Sequence, residues 1–138
     1  MTEESCIFCK IASKNASASI VYEDASVMAF LDIRPLNEGH TLVIPKRHYA
    51  FIYAVPDEEV AQLYKIVKKV AVAVKRGVKA DGITVAQQNE RAAGQEIFHV
   101  HVHVIPRYVE QRLTRFDEAE EAGKAGLGEV AEKLKQFL

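Results

Sequence analysis

Hydrophobic and polar residues alternate along the chain with two different periods, which predict strands in some segments and helices in others. Two short apolar runs within residues 20–32 are separated by the turn-like segment 23–26, which predicts a β-hairpin. A third strand is predicted over residues 40–44, and Pro45 ends it because proline has no N–H to donate to a sheet. The remaining predicted strands cover residues 83–88 and 97–105.

The longest helical pattern lies between Pro56 and Gly77, where apolar residues recur at three- and four-residue intervals. Acidic residues begin this segment and basic residues end it, as the helix dipole favours, and Gly77 suits the position just past the helix C-terminus. A C-terminal helix is predicted after Gly126 from the spacing of Leu127, Val130, Ala131, Leu134 and Leu138. Short connections between the strands favour antiparallel neighbours, so we expect an α+β fold.

Composition narrows the class of protein. A chain of 138 residues corresponds to one domain, residues 1–138, since one hydrophobic core serves about 100 to 200 residues. The formal net charge of -1 predicts no general attraction to nucleic acid polymers or to anionic membranes. The apolar runs are too short to cross a bilayer, and the acidic start of the chain differs from a secretory signal, so we expect a cytoplasmic protein.

Cys6 and Cys9 form a Cys-x-x-Cys pair, and the chain has no other cysteine. In a reducing compartment such a pair indicates metal or redox chemistry, or it stays empty and reduced. A redox-active cysteine pair is typical of a thioredoxin-like βαβ unit, and the hydrophobic pattern around Cys6 and Cys9 does not predict one. A structural zinc site needs four ligands, so two histidines would have to join the cysteines.

The most informative segment is residues 98–105, where His99, His101 and His103 alternate with apolar residues. A strand turns successive side chains to opposite faces, so the histidines are expected on one face and the apolar residues on the other. Other polar residues would serve equally well on a strand face that only contacts solvent, so three histidines, with a pKa of about 6.5, indicate a functional face. Two kinds of site remain open: three histidines holding a hydrolytic zinc ion, or a neutral imidazole that attacks phosphorus.

Residues 99–105 resemble the His-φ-His-φ-His-φ-φ signature of the histidine triad (HIT) nucleotide hydrolases and transferases, in which φ is apolar. The resemblance covers about residues 6–108, and further family-like segments are residues 6–11, 30–35, 39–48 and 93–95. Residues 105–107 resemble both the prokaryotic members and the branch that cleaves dinucleoside polyphosphates. It implies a HIT-like fold with a five-stranded antiparallel sheet and one long central helix. It also implies a homodimer in which two sheets join into ten strands, with the central helix at the interface.

The resemblance implies that His101 attacks the α-phosphorus of a purine nucleotide and forms a nucleotidyl-histidine intermediate, without an organic cofactor. His103 and His40 would donate to phosphate oxygens, and His99 would support the imidazole of His101. The expected substrates are adenosine phosphoramidates or related conjugates. The alternatives are dinucleoside polyphosphates, a metal-dependent hydrolysis, or a catalytically weak nucleotide-binding scaffold.

Other positions match the family's nucleotide pocket. Asp32 would accept hydrogen bonds from the ribose hydroxyls. Asn89 and Gln95 match contacts to the phosphate or leaving group, although the loop can also be aligned so that Gln88 replaces Asn89. The apolar slot for the base would comprise Ile7, Phe8, Phe30, Leu31 and Ile33.

Glu96 departs from the family pattern, because many members carry Ser or Thr at this position. An ionised carboxylate only accepts hydrogen bonds and repels phosphate. We therefore expect Glu96, which matches a substrate contact, to be protonated, turned away, or paired with Arg91 or Arg107.

The resemblance also assigns ligands to a structural zinc ion. Members with the cysteine pair complete the site with the histidine of a Pro-Lys-x-His segment and with the first triad histidine. The corresponding residues here are Cys6, Cys9, His48 and His99.

Overall fold

The structure is a computed structural model that describes residues 3–111 and 124–138. This part of the chain contains three α-helices, which are α1 (Ile7–Ala12), α2 (Asp57–Gly77) and α3 (Lys124–Lys135). Its five strands are β1 (Ile20–Glu23), β2 (Val27–Leu31), β3 (Thr41–Pro45), β4 (Gly82–Gln87) and β5 (Val102–Arg107). No helix among these residues is long and apolar enough to cross a membrane.

The five strands form one sheet in the order β1-β2-β3-β5-β4, and every pair of neighbours is antiparallel. Its register pairs Phe30 with Leu42, Leu42 with His103, and His103 with Ala86. A triad histidine therefore lies in a row of side chains that crosses the sheet. The predicted five-stranded antiparallel α+β fold is confirmed.

One face of the sheet packs against α2 and α3. Alternate residues of β2, β3 and β5 form this face, among them Leu31, Val43 and Val104, and all are buried. The helices contribute Leu63, Val67, Val70 and Val74 from α2 and Leu127, Val130, Ala131 and Leu134 from α3. Each fully buried side chain of this size contributes about 1.5 to 3 kcal/mol, so this core carries most of the hydrophobic stabilisation.

The opposite face of the sheet packs against α1, which the sequence pattern did not predict. Phe8 and Ile11 of α1 pack on a row formed by Met28, Phe30, Leu42 and Ile44. The thiol of Cys6 caps the helix by accepting a hydrogen bond from the Cys9 N–H at 3.4 Å. A helix of six residues is too short to show a helical period, which explains why the pattern missed it.

The fifth strand begins at Val102, five residues later than predicted, and continues through Pro106 to Arg107. Its start is delayed because the Val100 N–H donates to the Tyr49 carbonyl at 2.8 Å rather than to a neighbouring strand. Pro106 is tolerated because the pairing of β5 with β3 ends at Val104. The alternation of faces nevertheless extends to residue 100, since Val100 belongs to the core under α2.

Two helix boundaries also differ from the sequence-based expectation. Gly77 is the last residue of α2 rather than the residue after it, and a Cβ there would lie 2.6 Å from Leu134 Cδ2. The glycine therefore permits the close approach of α3 and is not a left-handed cap. The C-terminal helix begins at Lys124, before Gly126, and Leu138 lies beyond its end and is exposed.

Candidate active site and metal centre

A cavity of about 400 Å³ opens on the α1 side of the sheet, a volume suited to a small ligand. His101 and His103 line it together with Asp32 and Glu96. Its apolar wall includes all five residues expected to surround a base, Ile7, Phe8, Phe30, Leu31 and Ile33, and also Ile11, Leu42 and Ile97. The last three were missed because nothing in an apolar pattern separates a cavity wall from a core.

His101 is held in one tautomer by a backbone group. Its Nδ1–H donates to the carbonyl oxygen of His99 at 2.7 Å, which leaves the lone pair on Nε2. The Phe8 ring packs edge-on against the imidazole, with ring centroids 5.1 Å apart. Burial lowers the pKa of His101, so the ring stays neutral at physiological pH. The arrangement presents an unprotonated nitrogen for nucleophilic attack.

His103 is held in the opposite tautomer by a chain of hydrogen bonds. The Leu36 N–H donates to His40 Nδ1 at 3.0 Å, so His40 carries its proton on Nε2. That Nε2–H donates to His103 Nδ1 at 3.0 Å, which places the proton of His103 on Nε2. Burial lowers the pKa of His40 and of His103 to about 3, so both rings are neutral donors.

Asp32 joins this chain at the edge of the cavity. Its Oδ1 accepts a hydrogen bond from the Arg34 N–H at 2.8 Å, and its Oδ2 lies 3.5 Å from His40 Nε2. Because His40 is neutral and its single Nε2–H is donated to His103 Nδ1, the second contact is a close approach and not an ion pair. Burial, with a smaller contribution from the charge of Glu96, raises the pKa of Asp32.

A second cluster, formed by Cys6, Cys9, His48 and His99, could hold a metal ion. His99 Nδ1 lies 3.4 Å from Cys6 Sγ and 3.5 Å from Cys9 Sγ, and His48 Nδ1 lies 3.2 Å from Cys9 Sγ. Zinc–sulfur and zinc–nitrogen bonds in a tetrahedron place ligand atoms about 3.3 to 3.8 Å apart, close to these separations. The four side chains therefore fit a tetrahedral zinc ion.

The tautomer of His99 agrees with this assignment. Its Nε2–H donates to the Pro45 carbonyl at 2.8 Å, which directs the lone pair of Nδ1 toward the two thiols. Burial raises the pKa of Cys9 to about 12 and lowers that of His99 to about 4. Without a metal the thiol keeps its proton, and metal binding would displace it.

The three triad histidines do not converge on one metal. His99 belongs to the cysteine cluster, whereas His103 is grouped with His40 and Asp32. The latter group suits a metal poorly, because His40 Nδ1 already accepts from Leu36 and a neutral imidazole has only one lone pair. The residues described offer no ligand set for the three-histidine zinc hydrolase considered from the sequence.

In the loop before the three histidines, some of the residues expected to contact substrate line the cavity and others hold the loop together. Gln95 is buried, and its amide bonds the Glu90 N–H and the carbonyls of Ala50 and Ile97. The side chain of Asn89 accepts from the Ile52 N–H at 2.8 Å. Neither of these two expected contacts lines the cavity, whereas Gln88 and Glu96 do.

The family model described as HIT domain matches residues 13–110. The chain belongs to the HIT domain family. An uncharacterized HIT-like protein of Methanocaldococcus jannaschii is 44% identical, over 94% of this chain and 98% of the relative. A Candida albicans protein named adenosine 5'-monophosphoramidase is 37% identical, over 97% of this chain and 91% of the relative.

Solved structures of HIT proteins share the fold. A Hit-like protein of Bartonella henselae has a TM-score of 0.91 and 38% identity, with 100% of both chains covered. A zinc-bound histidine triad family protein of Mycobacterium smegmatis has a TM-score of 0.87 and 36% identity, covering 99% of this chain and 94% of that one. The HIT domain match begins after Cys9, so the cysteine pair lies outside the matched segment.

Proposed function

We propose that this HIT protein is a nucleotide hydrolase or transferase that cleaves adenosine phosphoramidates or related conjugates at the α-phosphate. One observation carries the proposal: His101 and His103, whose ring centroids are 5.0 Å apart, present opposite tautomers at the cavity. The first offers a lone pair on Nε2 and the second offers an N–H. A nucleophile beside a donor is the pair that phosphoryl transfer through a covalent intermediate requires.

The reaction would proceed in two displacements at phosphorus. His101 Nε2 forms a bond to the α-phosphorus while the P–N bond breaks, and the leaving nitrogen takes a proton from the solvent, to which the attacking water of the second step returns one proton. His103 Nε2–H stabilises the charge on a phosphate oxygen during this step. Water then attacks the same phosphorus, the bond to His101 breaks, and the nucleoside monophosphate leaves. His99 acts through its backbone carbonyl, which holds His101 in the reactive tautomer.

The remaining cavity residues would bind the nucleoside. The apolar wall around Ile7, Phe30 and Ile33 offers a slot for a flat purine base. Asp32 would accept hydrogen bonds from the ribose hydroxyls. The relative in Candida albicans, named for phosphoramidate cleavage, supports this choice of substrate.

A direct test combines a substitution with the capture of the intermediate. His101→Asn should abolish turnover of adenosine 5'-phosphoramidate yet retain binding of adenosine monophosphate, because Asn fills the site without a basic nitrogen. Mass spectrometry of the quenched wild-type protein should detect a nucleotidyl adduct on the peptide that contains His101. Turnover by His101→Asn at the wild-type rate would refute the mechanism. A parallel assay with diadenosine tetraphosphate distinguishes the alternative substrate class, and binding without turnover of either substrate indicates a scaffold.

We also propose that Cys6, Cys9, His48 and His99 hold a structural zinc ion. Such an ion would serve as a structural cross-link, joining α1 to the segment before β5. The free thiols of this site suit a reducing compartment, in keeping with the cytoplasmic location expected from the sequence. Elemental analysis of protein purified without added zinc tests the assignment, and a metal-free, fully stable protein would refute it.

Finally, we propose a homodimer in which the β4 edges of two sheets pair into ten strands. β4 is an edge strand, and its Val85 is 47% exposed. An unpaired edge with an exposed apolar side chain favours strand pairing. Light scattering on wild type and on Val85→Lys should show a dimer and a shift toward monomer, respectively. A monomeric wild type would refute the proposal.

A further inference from the structure

Glu96 occupies an unusual position in the cavity. It is exposed and lines the cavity with His101 and His103. The backbone around it is anchored, because the buried Gln95 side chain donates to the Ile97 carbonyl at 3.1 Å. The backbone that carries Glu96 is thus held beside the cavity.

The Glu96 carboxylate makes no hydrogen bond or ion pair with any residue that the structure describes. The two arginines expected to pair with it are engaged elsewhere. Arg91 lies over the Phe98 ring, 5.9 Å from its centroid, and Arg107 Nε donates to Thr84 Oγ1 at 3.2 Å. The charge of Glu96 also acts on Asp32, whose pKa it helps to raise. A solvated, unneutralised carboxylate therefore faces the cavity.

The charges lining the cavity are unfavourable for a polyanion. Asp32 and Glu96 are acidic, His101 and His103 are neutral, and Arg34 is the one Lys or Arg residue in this lining. A monophosphate adds one or two further negative charges beside His101. A leaving group with additional phosphates would add more negative charge, with Arg34 as the one basic side chain of the lining to balance it.

The direction of attack places the leaving group near Glu96. In-line displacement requires the leaving atom to lie opposite the nucleophile, so a group expelled by the buried His101 points toward the open side of the cavity. Glu96, Ile33 and Arg34 are exposed lining residues. Of these, Glu96 is the residue that would repel an anion and attract a cation.

We infer that Glu96 selects nucleotide conjugates whose leaving group carries a positive charge, such as an ammonium group. The inference rests on the proposed function and narrows its substrate class. It assigns a specificity role to the carboxylate that replaces the Ser or Thr expected from the family resemblance. The catalytic steps remain with His101 and His103.

The test uses three adenosine 5'-phosphoramidates that differ only in the substituent on nitrogen. The substituents are 2-aminoethyl, which is cationic, propyl, which is neutral, and 2-carboxyethyl, which is anionic. kcat/KM is measured for wild type, for Glu96→Gln, and for the control Glu58→Gln on the exposed side of α2. Intrinsic reactivity differs among the substrates but is common to all enzymes, so the change in ratio isolates the effect of Glu96.

We expect the cationic-to-anionic ratio of kcat/KM to fall about five- to tenfold in Glu96→Gln, because an exposed charge both attracts the cation and repels the anion. The ratio should persist in Glu58→Gln, and Glu96→Lys should invert the preference. Raising the salt to about 0.5 M should shrink the wild-type ratio, which tests the inference without any substitution.

The outcomes separate the two proposals. If wild type cleaves none of the three compounds, the proposed function fails. If wild type cleaves them and the ratio stays unchanged in Glu96→Gln, in Glu96→Lys and with salt, the role of Glu96 is refuted while the function stands. An equal change in Glu58→Gln would trace the effect to net charge and would also refute it.

Discussion

The imidazole of His101 and the backbone of His99 are joined by a hydrogen bond of 2.7 Å from Nδ1–H to the carbonyl oxygen. The side chain of His99 points to the thiols of Cys6 and Cys9, and its Nε2–H donates to Pro45. Residue 99 therefore belongs to the proposed metal centre through its side chain and to the proposed active site through its backbone. This shared residue connects the two sites.

Disruption of the metal centre should therefore impair catalysis. We expect Cys9→Ser to lose bound zinc and to lower kcat about tenfold, since the carbonyl that orients His101 is held less firmly. Elemental analysis and steady-state kinetics measure both effects. Ser13→Ala, at the exposed end of the same helix, is the control and should change neither. Wild-type kcat in zinc-free Cys9→Ser would contradict this coupling.

His40 should act on catalysis through the tautomer of His103. His40→Phe removes the donor to His103 Nδ1 and frees the ring to place its proton there. We expect kcat to fall about tenfold or more, because the phosphate loses an N–H donor. Nitrogen-15 NMR of the imidazoles should show His103 leaving the Nε2–H tautomer. An unchanged His103 spectrum would show that other contacts set the tautomer.

The activity should extend further into acid than an ordinary histidine allows. A nucleophile with a pKa of about 6.5 would lose about fourfold of kcat/KM between pH 7.5 and pH 6 by protonation. Burial lowers the pKa of His101, so its neutral, reactive form persists below pH 6.5. We expect kcat/KM to decline by clearly less than fourfold over this interval. A full fourfold decline would contradict a lowered pKa of His101.

The buried pair His40 and His103 should make stability fall in acid. Both have a folded-state pKa of about 3, below the unfolded value of about 6.5, so the unfolded chain binds more protons between these limits. Their contribution is complete above pH 6.5 and declines as the pH falls, by about 2 kcal/mol per histidine at pH 5. Urea unfolding of wild type and His103→Gln at pH 7.5 and pH 5 measures this. Equal pH dependence in both proteins would contradict the expectation.

The contact between α2 and α3 can be tested at Gly77. A Cβ at this position would meet the buried Leu134 side chain at 2.6 Å, so Gly77→Ala should destabilise the protein by about 1 to 2 kcal/mol despite the better helix propensity of alanine. In a Leu134→Ala background the same change should become neutral or stabilising. Urea unfolding of the four proteins measures the coupling, and additive effects would show that α3 adapts without strain.

The fold class was accessible from the sequence because it depends on periods of hydrophobicity. The spacing over α2 located this helix to within one residue at its C-terminus, and the alternation through Val100, Val102 and Val104 identified the face that packs against α2. Helix α1 was not accessible, since six residues show no period and Phe8 and Ile11 pack on strands distant in sequence. Gly77 was misplaced because only the position of Leu134 reveals why a glycine is needed there.

The candidate site, like the fold, was only partly accessible from the sequence. The sequence by itself determined which side chains are present for chemistry: three alternating histidines, a cysteine pair, and a carboxylate at residue 96. Only the tertiary structure decided which nitrogen of each imidazole carries the proton, through the Leu36 N–H and the carbonyls of Pro45 and His99. Every residue except proline has the same backbone N–H and carbonyl, so no sequence pattern marks these partners. Packing brings them to the imidazoles and gives identical side chains the different tautomers that the proposed nucleophile, donor and metal ligand require.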